Sequence, residues 1–231
     1  MARKITHNTI KSFEHEKRKP ESKDGLKIFL IACEGECTEP NYLLGLVSHQ
    51  KQLKNIAAGT EVIIAKYSHS DPYGVLQDLL YTPNREQYDE FWIVIDRDPV
   101  ELKGKGFGGH SDANFSEAIK EAADKNVKVA CSNPCFELWI VLHFEYRDTA
   151  CTRDDIQKKA LEKINSLLDS KHKLSNVDQM KSIENIYSLL QDKVFTAKKN
   201  AEKLKENDEN YLNPSSGMFR LLSSLISEDK K

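Results

Sequence analysis

The sequence predicts an α/β protein: a parallel sheet of about four strands flanked by helices, followed by an α-helical C-terminal region. Two observations predict this class. Short, unbroken apolar runs such as residues 91–95 are rich in β-branched and aromatic residues, which is typical of strands covered on both faces. Up to residue 150 such runs alternate with helical patterns, and that order indicates βα units with right-handed crossovers.

The first two βα units are marked by helix-start signals. An apolar strand at 28–32 precedes a helix for which Thr38 is the expected N-cap, with Pro40 in the first turn. A second strand at 62–65 precedes a helix at 71–81, which Asp71-Pro72 opens. We therefore expect two successive units, each a strand of the parallel sheet followed by a helix.

The third unit contains the strand at 90–98, a glycine-rich loop at 103–110 and a helix at 114–125. The fourth has a strand at 127–131. Its helix is predicted over 132–144, with Ser132 or Asn133 as the cap and Pro134 at the first helical position.

The pattern changes after residue 150. Residues 152–169 and 180–206 are rich in lysine and glutamate with helical spacing, and Asn213-Pro214 is expected to cap a last helix. No strand is predicted there. The chain divides into a polar flexible arm (1–25), an α/β domain (26–150) and a helical C-terminal region packed on it (151–231).

Composition limits the functional classes. Basic residues number 34 and acidic residues 36, so binding to nucleic acid would have to use local patches. No apolar run approaches the ~20 residues that span a bilayer, and the first residues lack the apolar core of a signal peptide. Five cysteines, an odd number, favour free thiols in a reducing cytoplasm. We expect a cytoplasmic protein without membrane contact.

Acidic side chains follow two of the predicted strands. Glu34 ends the first apolar run, and Asp96 and Asp98 end the run at 91–95. In parallel sheets the ligand crevice lies beyond the carboxyl ends of the strands, and residues i and i+2 of an extended chain share a face. Hard divalent cations such as Mg²⁺ bind carboxylate oxygens. The alternative for the aspartate pair alone is a polar strand exit that caps the next turn.

This arrangement resembles the Toprim domain, the catalytic module of topoisomerases, bacterial primases and OLD-type nucleases. More closely, the chain resembles the RloB-like family, and the resemblance extends over nearly the whole sequence. Four stretches carry it: EGECTEPNY (34–42), VIDRD (94–98), SNPCFELWIVLHF (132–144) and NPSSGMFRLL (213–222).

The resemblance implies a Toprim-like core and a metal-dependent nuclease that uses Mg²⁺ or Mn²⁺ to hydrolyse phosphodiester bonds of RNA, including tRNA, or of DNA. It also implies an effector of bacterial antiviral defence or abortive infection, encoded beside an ABC- or SMC-type ATPase partner. The alternative is a non-catalytic module that binds a cation or docks on that ATPase. Primase-like nucleotidyl transfer ranks last, because no P-loop is visible. The sequence does not decide whether the protein forms a homo-oligomer.

The resemblance assigns roles to several acids. Glu34 is expected to act as general base or metal ligand, and Asp96 and Asp98 as Mg²⁺ ligands. Glu39 is a candidate second carboxylate, because OLD-type proteins place one shortly after their Glu-Gly. Glu137, in the first turn of the fourth helix, is either a second-metal ligand or a stabiliser of the helix dipole.

The basic candidates are less defined. Lys103 and Lys105, in the glycine-rich loop, either contact substrate phosphates or lie in a solvated loop. Toprim nucleases often bring one lysine near the scissile phosphate. Lys173, Lys181 and Lys198 are the candidates, and nothing in the sequence selects one.

Overall fold

A computed structural model describes residues 27–97 and 111–226. Its strands are β1 (Ile28–Cys33), β2 (Glu61–Ile64), β3 (Glu90–Asp96), β4 (Lys128–Asn133) and β5 (Ser215–Ser216). They form one sheet in the order β2-β1-β3-β4-β5, in which the first four strands are parallel and β5 runs antiparallel to β4. The predicted α/β class with a largely parallel sheet is confirmed.

Helices cover the sheet and form most of the C-terminal region. They are α1 (Thr38–Gln52), α2 (Pro72–Leu80), α3 (Asp112–Asp124), α4 (Glu137–Leu142), α5 (Arg153–Leu167), α6 (Val177–Lys181), α7 (Ile186–Leu190), α8 (Val194–Glu202), α9 (Lys205–Glu209) and α10 (Met218–Leu225). Short 3-10 turns occupy Arg85–Gln87 and Gln191–Lys193. In the described part of the chain, no helix has the length and apolar character needed to cross a bilayer.

The alternation of side chains along the strands divides the core between the two faces of the sheet. Leu30 and Ile93 point to the face covered by α2 and α3. Ile31 and Val94 point to the other face, where they join a larger core built by α1, α4 and the C-terminal helices. Both faces of the central strands are therefore buried from solvent, which explains their uninterrupted apolar sequences.

The register of the sheet brings the strand ends to one edge. Cys33 of β1 pairs with Val94 of β3, and Asp96 of β3 pairs with Ser132 of β4. The residues that follow β1 and β3 consequently emerge side by side, and α4 begins at the same edge.

The predicted start of the fourth helix is wrong. Ser132 and Asn133 are the last residues of β4, and α4 begins only at Glu137, so Pro134 is not its first residue. The sheet explains the difference, because Ser132 pairs with β3 on one side and with Ser216 of β5 on the other.

The C-terminal region differs from the prediction in two respects. It contains β5, where only helix was expected, so Asn213-Pro214 precedes a strand and does not cap a helix. The helical stretch predicted over 180–206 is divided among four helices, α6 to α9. A two-residue strand is too short to show an alternating pattern. The division of the chain at residue 150 remains a prediction, and the arm at 1–25 lies outside the described residues.

Candidate active site

A cleft of about 380 Å³ opens at the carboxyl ends of β1 and β3. Acidic side chains predominate in its lining: Glu34, Glu36, Glu39, Asp96 and Glu137. Two basic side chains, Arg153 and Lys181, reach into the same cleft from the C-terminal region.

Glu34 links the first strand to the third. Its backbone N–H donates to the carbonyl oxygen of Val94 at 2.9 Å, which extends the β1–β3 pairing by one residue. Its side-chain Oε2 accepts a hydrogen bond from the backbone N–H of Asp96, also at 2.9 Å. The carboxylate of Glu34 is thus fixed beside the end of β3, next to the second predicted ligand.

Asp96 is buried at the last position of β3. Its Oδ1 accepts from the backbone N–H of Phe136 at 2.8 Å, and its Oδ2 lies 3.9 Å from the guanidinium of Arg153. Burial, followed by repulsion from Glu34 and Glu39, raises the pKa of Asp96. A divalent cation bound beside these carboxylates would relieve this repulsion.

Glu39 lies in the first turn of α1 and is only 6% exposed. Burial, and then repulsion from Glu137 and Glu34, raises its pKa to about 7. Gly35 makes room for it: a β-carbon at position 35 would lie 2.0 Å from Oε2 of Glu39. Residues 34 and 35 therefore contribute to the cleft in two ways. Glu34 supplies one carboxylate, and the missing side chain of Gly35 leaves room for the carboxylate of Glu39.

Glu137 is the first residue of α4 and is also buried. Its Oε1 lies 3.2 Å from Nζ of Lys181. Burial, the largest single influence, would raise the pKa of Glu137, but the attraction of Lys181, hydrogen bonds from Cys135 and the backbone, and the attraction of Arg153 together lower it. Glu137 is thus held as a carboxylate by its basic neighbour.

The two basic residues occupy defined positions in the C-terminal helices. Arg153 is the first residue of α5, whose N-cap Thr152 accepts from the backbone N–H of Asp155. Lys181 ends α6, and its carbonyl oxygen accepts a 3.1 Å hydrogen bond from Oγ1 of Thr38. Thr38 was expected to cap α1; its hydroxyl instead fastens α6 to the rim of the cleft, and Cys37 occupies the cap position.

Gln157 connects these two bases. With its amide oxygen facing them, it accepts from Nζ of Lys181 at 3.0 Å and from Nε of Arg153 at 3.1 Å. Gln157 stands one turn after Arg153 on α5, so the two side chains share a face of the helix.

Four of the predicted site residues, Glu34, Glu39, Asp96 and Glu137, are therefore brought together. Their roles as ligands stay predictions. Asp98, Lys103 and Lys105 lie outside the described residues.

Among the lysines that the sequence left open, Lys181 lies in the cleft, whereas Lys173 is exposed and Lys198 pairs with Glu202 on α8. Arg153 and Gln157 were not predicted. Nothing in a lysine- and glutamate-rich helix distinguishes the residues that face the cleft from those that face solvent.

The donor atoms of the cleft suit a hard cation. Mg²⁺ is commonly held by one or two carboxylates, with waters and substrate phosphate completing its shell. Glu34 and Asp96 offer such a pair, and Asp98 follows two residues later. Within residues 27–97 and 111–226, no group of three or more His, Cys, Asp or Glu side chains is arranged to hold a metal ion.

A comparison with known protein families identifies one relationship. The family model described as RloB-like protein matches residues 29–225, which includes both strand ends and both basic residues of the cleft. No curated protein and no solved structure matches the chain.

Proposed function

The chain belongs to the RloB-like protein family, and on that premise we propose that it is a Mg²⁺-dependent endonuclease of the Toprim type. Its substrate would be RNA, including tRNA, or DNA. The observation that carries the proposal is the convergence of Glu34, Asp96, Glu39 and Glu137 in a cleft that also contains Lys181 and Arg153. Acidic and basic groups in one cleft suit a reaction that needs a metal and a phosphate together.

Each group has a chemical task in this proposal. Glu34 and Asp96, with Asp98, would hold Mg²⁺ or Mn²⁺; the bound ion would lower the pKa of a water and stabilise the leaving oxygen. Glu34 would also accept the proton of the attacking water. Lys181 and Arg153 donate to the non-bridging oxygens of the phosphodiester, where charge-assisted hydrogen bonds are strong. Glu39 and Glu137 complete the acidic wall, and Lys103 and Lys105 would contact flanking phosphates.

The family resemblance alone supports the biological setting that we propose. The protein would be the nuclease effector of a cytoplasmic antiviral system, and an ABC- or SMC-type ATPase encoded nearby would control it.

A second candidate is a non-catalytic module that binds a cation and docks on the ATPase. One observation favours it: Asp96 and Glu137 are already engaged by basic side chains. In that case the cleft would bind metal but turn over no nucleic acid.

The deciding experiment compares the wild-type protein with Glu34→Gln and Asp96→Asn. Each protein is incubated with tRNA and with duplex DNA, in Mg²⁺ and in EDTA, with and without the neighbouring ATPase. We expect cleavage by the wild type in Mg²⁺ only, and a loss of roughly 10²–10⁴-fold in each variant. Glu162→Gln, on the exposed side of α5, is the matched control.

Undiminished cleavage by either site variant would refute the assignment. Metal binding by the wild type without turnover of any substrate, under every condition, would support the non-catalytic module.

A further inference from the structure

The two bases of the cleft lie where they offset the charge of its acids. Arg153 is 3.9 Å from Asp96, and Lys181 is 3.2 Å from Glu137. Asp96 and Glu137 are both buried, so neither carboxylate is well solvated. In such surroundings a charge is stable only with a partner of opposite sign. In the absence of a metal, Lys181 therefore stabilises the charge of Glu137, and Arg153 offsets part of the charge of Asp96.

The same pairs conflict with cation binding. A divalent ion beside Asp96 or Glu137 would compete with the guanidinium or the ammonium group for carboxylate oxygens, and like charges a few ångströms apart repel strongly in a poorly solvated cleft. A metal can bind these carboxylates fully only if Arg153 and Lys181 relax their contacts with them.

Gln157 can hold the two bases in place when their contacts with Asp96 and Glu137 are lost. Its amide oxygen lies 3.0 Å from Nζ of Lys181 and 3.1 Å from Nε of Arg153. Both bases thus stay attached to the same wall of the cleft. Both bases line the cleft, and arginine in particular suits paired hydrogen bonds to the oxygens of a phosphate group bound there.

We propose that Arg153 and Lys181 exchange partners during the binding cycle: before a divalent cation binds they neutralise Asp96 and Glu137, and afterwards they bind the phosphodiester of the nucleic acid. This inference rests on the proposed function of the same cleft. Gln157 is the positioning residue for both states. Metal and nucleic acid then bind cooperatively, because each favours the state in which the bases have left the carboxylates.

The test measures two affinities in the full chain without relying on turnover. Mn²⁺ binding is followed by titration calorimetry at pH 8, and tRNA binding is measured in Ca²⁺, which we use to suppress cleavage. We expect Lys181→Gln and Arg153→Gln each to bind Mn²⁺ on the order of tenfold more tightly and tRNA on the order of tenfold more weakly. Glutamine preserves a hydrogen-bond donor for the carboxylate, and the two substitutions lie on different helices, so either one suffices if the other fails to fold.

Two further variants distinguish the proposed exchange of partners from a general loss of structure. Lys159→Met removes a positive charge from α5 at a residue that pairs with Glu162, and both affinities should stay at the wild-type value. Gln157→Leu leaves both charged pairs in place, so Mn²⁺ affinity should stay within about twofold of the wild type. It removes the group that positions the two bases, so tRNA binding should weaken. A purely structural role for the bases would weaken both affinities together.

Folded Lys181→Gln and Arg153→Gln proteins that bind Mn²⁺ no more tightly than the wild type would overturn the exchange. If the wild type nevertheless cleaves nucleic acid, the proposed function survives that result. A wild type that binds no Mn²⁺ and cleaves nothing would overturn both.

Discussion

At the scale of single residues, the raised pKa of Glu39 shows how crowding of buried carboxyl groups changes protonation in the cleft. Its pKa of about 7 follows from burial and from the neighbouring carboxylates Glu137 and Glu34. An ordinary glutamate ionises near 4.5, so Glu39 takes on its charge only about neutral pH. A bound cation would favour the ionised form, and metal affinity should therefore rise with pH through this range.

The raised pKa of Glu39 predicts how the free energy of unfolding depends on pH. Because the pKa of Glu39 is higher in the folded than in the unfolded state, its contribution to stability is complete below pH 4.5 and is lost as pH rises towards about 7. Glu39→Gln, which stays neutral, should therefore gain stability relative to the wild type over that interval. The gain should reach on the order of 3 kcal/mol in metal-free protein.

The measurement is urea unfolding of both proteins in EDTA, at intervals from pH 4 to pH 8.5. A difference in the free energy of unfolding that does not change with pH would contradict the burial of an ionisable Glu39.

The sequence was most informative about residues at strand ends. Glu34 and Asp96 could be placed because a buried parallel strand has only one apolar stretch, and the residue after it must lie at the carboxyl edge. Arg153 and Lys181 could not be placed in this way. They reach the cleft through the packing of α5 and α6, and that packing depends on contacts such as the hydrogen bond from Thr38 to residue 181.

At the scale of elements, the ends of the strands opposite the cleft are held by one buried acid. Glu90, the first residue of β3, accepts hydrogen bonds from Nε1 of Trp92 and Nζ of Lys128, both at 2.7 Å. It also contacts Lys27, before β1, and Ser224 of α10. Burial would raise the pKa of Glu90, but these hydrogen bonds, that of Lys128 foremost, lower it to about 2.

Glu90→Gln should therefore destabilise the protein by about 1–3 kcal/mol at pH 7, because it weakens charge-assisted hydrogen bonds to Lys27, to Lys128 of β4 and to Ser224 of α10. The pH dependence of this stabilisation is opposite in sign to that of Glu39. The folded-state pKa is depressed, so the stabilisation is present above pH 4.5 and is lost as pH falls towards about 2.

Thermal unfolding between pH 2.5 and pH 7 checks this prediction, with Glu86→Gln on an exposed turn as the control. A difference between wild type and Glu90→Gln that persists undiminished at pH 2.5 would contradict it.

Helix boundaries were the weakest part of the prediction at this scale. The start of α2 was located well: the helix begins directly after Asp71, whose side chain accepts a hydrogen bond from the backbone N–H of Gly74. The start of α4 was missed because Ser132 and Asn133 resemble helix caps locally. Their pairing with β5, more than 80 residues away, is invisible in the sequence.

At the scale of the whole molecule, the C-terminal region completes the α/β core. The ring of Tyr187 in α7 packs edge-on against Tyr42 of α1, with 5.3 Å between centroids. Nδ2 of Asn200 donates to the carbonyl oxygen of Leu142, and Nη2 of Arg220 donates to that of Val129, both at 2.8 Å. These contacts cover apolar surface and backbone groups of α1, β4 and α4.

A fragment of residues 1–150 should consequently fail to fold cooperatively. Without α5 to α10, the larger of the two cores loses one of its walls, and exposed apolar area costs roughly 25 cal/mol per Å². We expect the full chain to show a sharp thermal transition by circular dichroism and the fragment to show none. A fragment that melts sharply, within a few degrees of the full chain, would contradict this view.

The proposed chemistry depends on Glu34 and Asp96 sharing one divalent ion. Crystals of the full chain can be soaked in Mn²⁺ at pH 8 and measured at the manganese absorption edge. We predict an anomalous peak between the carboxyl groups of Glu34 and Asp96, absent from crystals of Asp96→Asn. Saturating Mn²⁺ that leaves this cleft without a peak in the wild type would contradict the metal centre and the nuclease built on it.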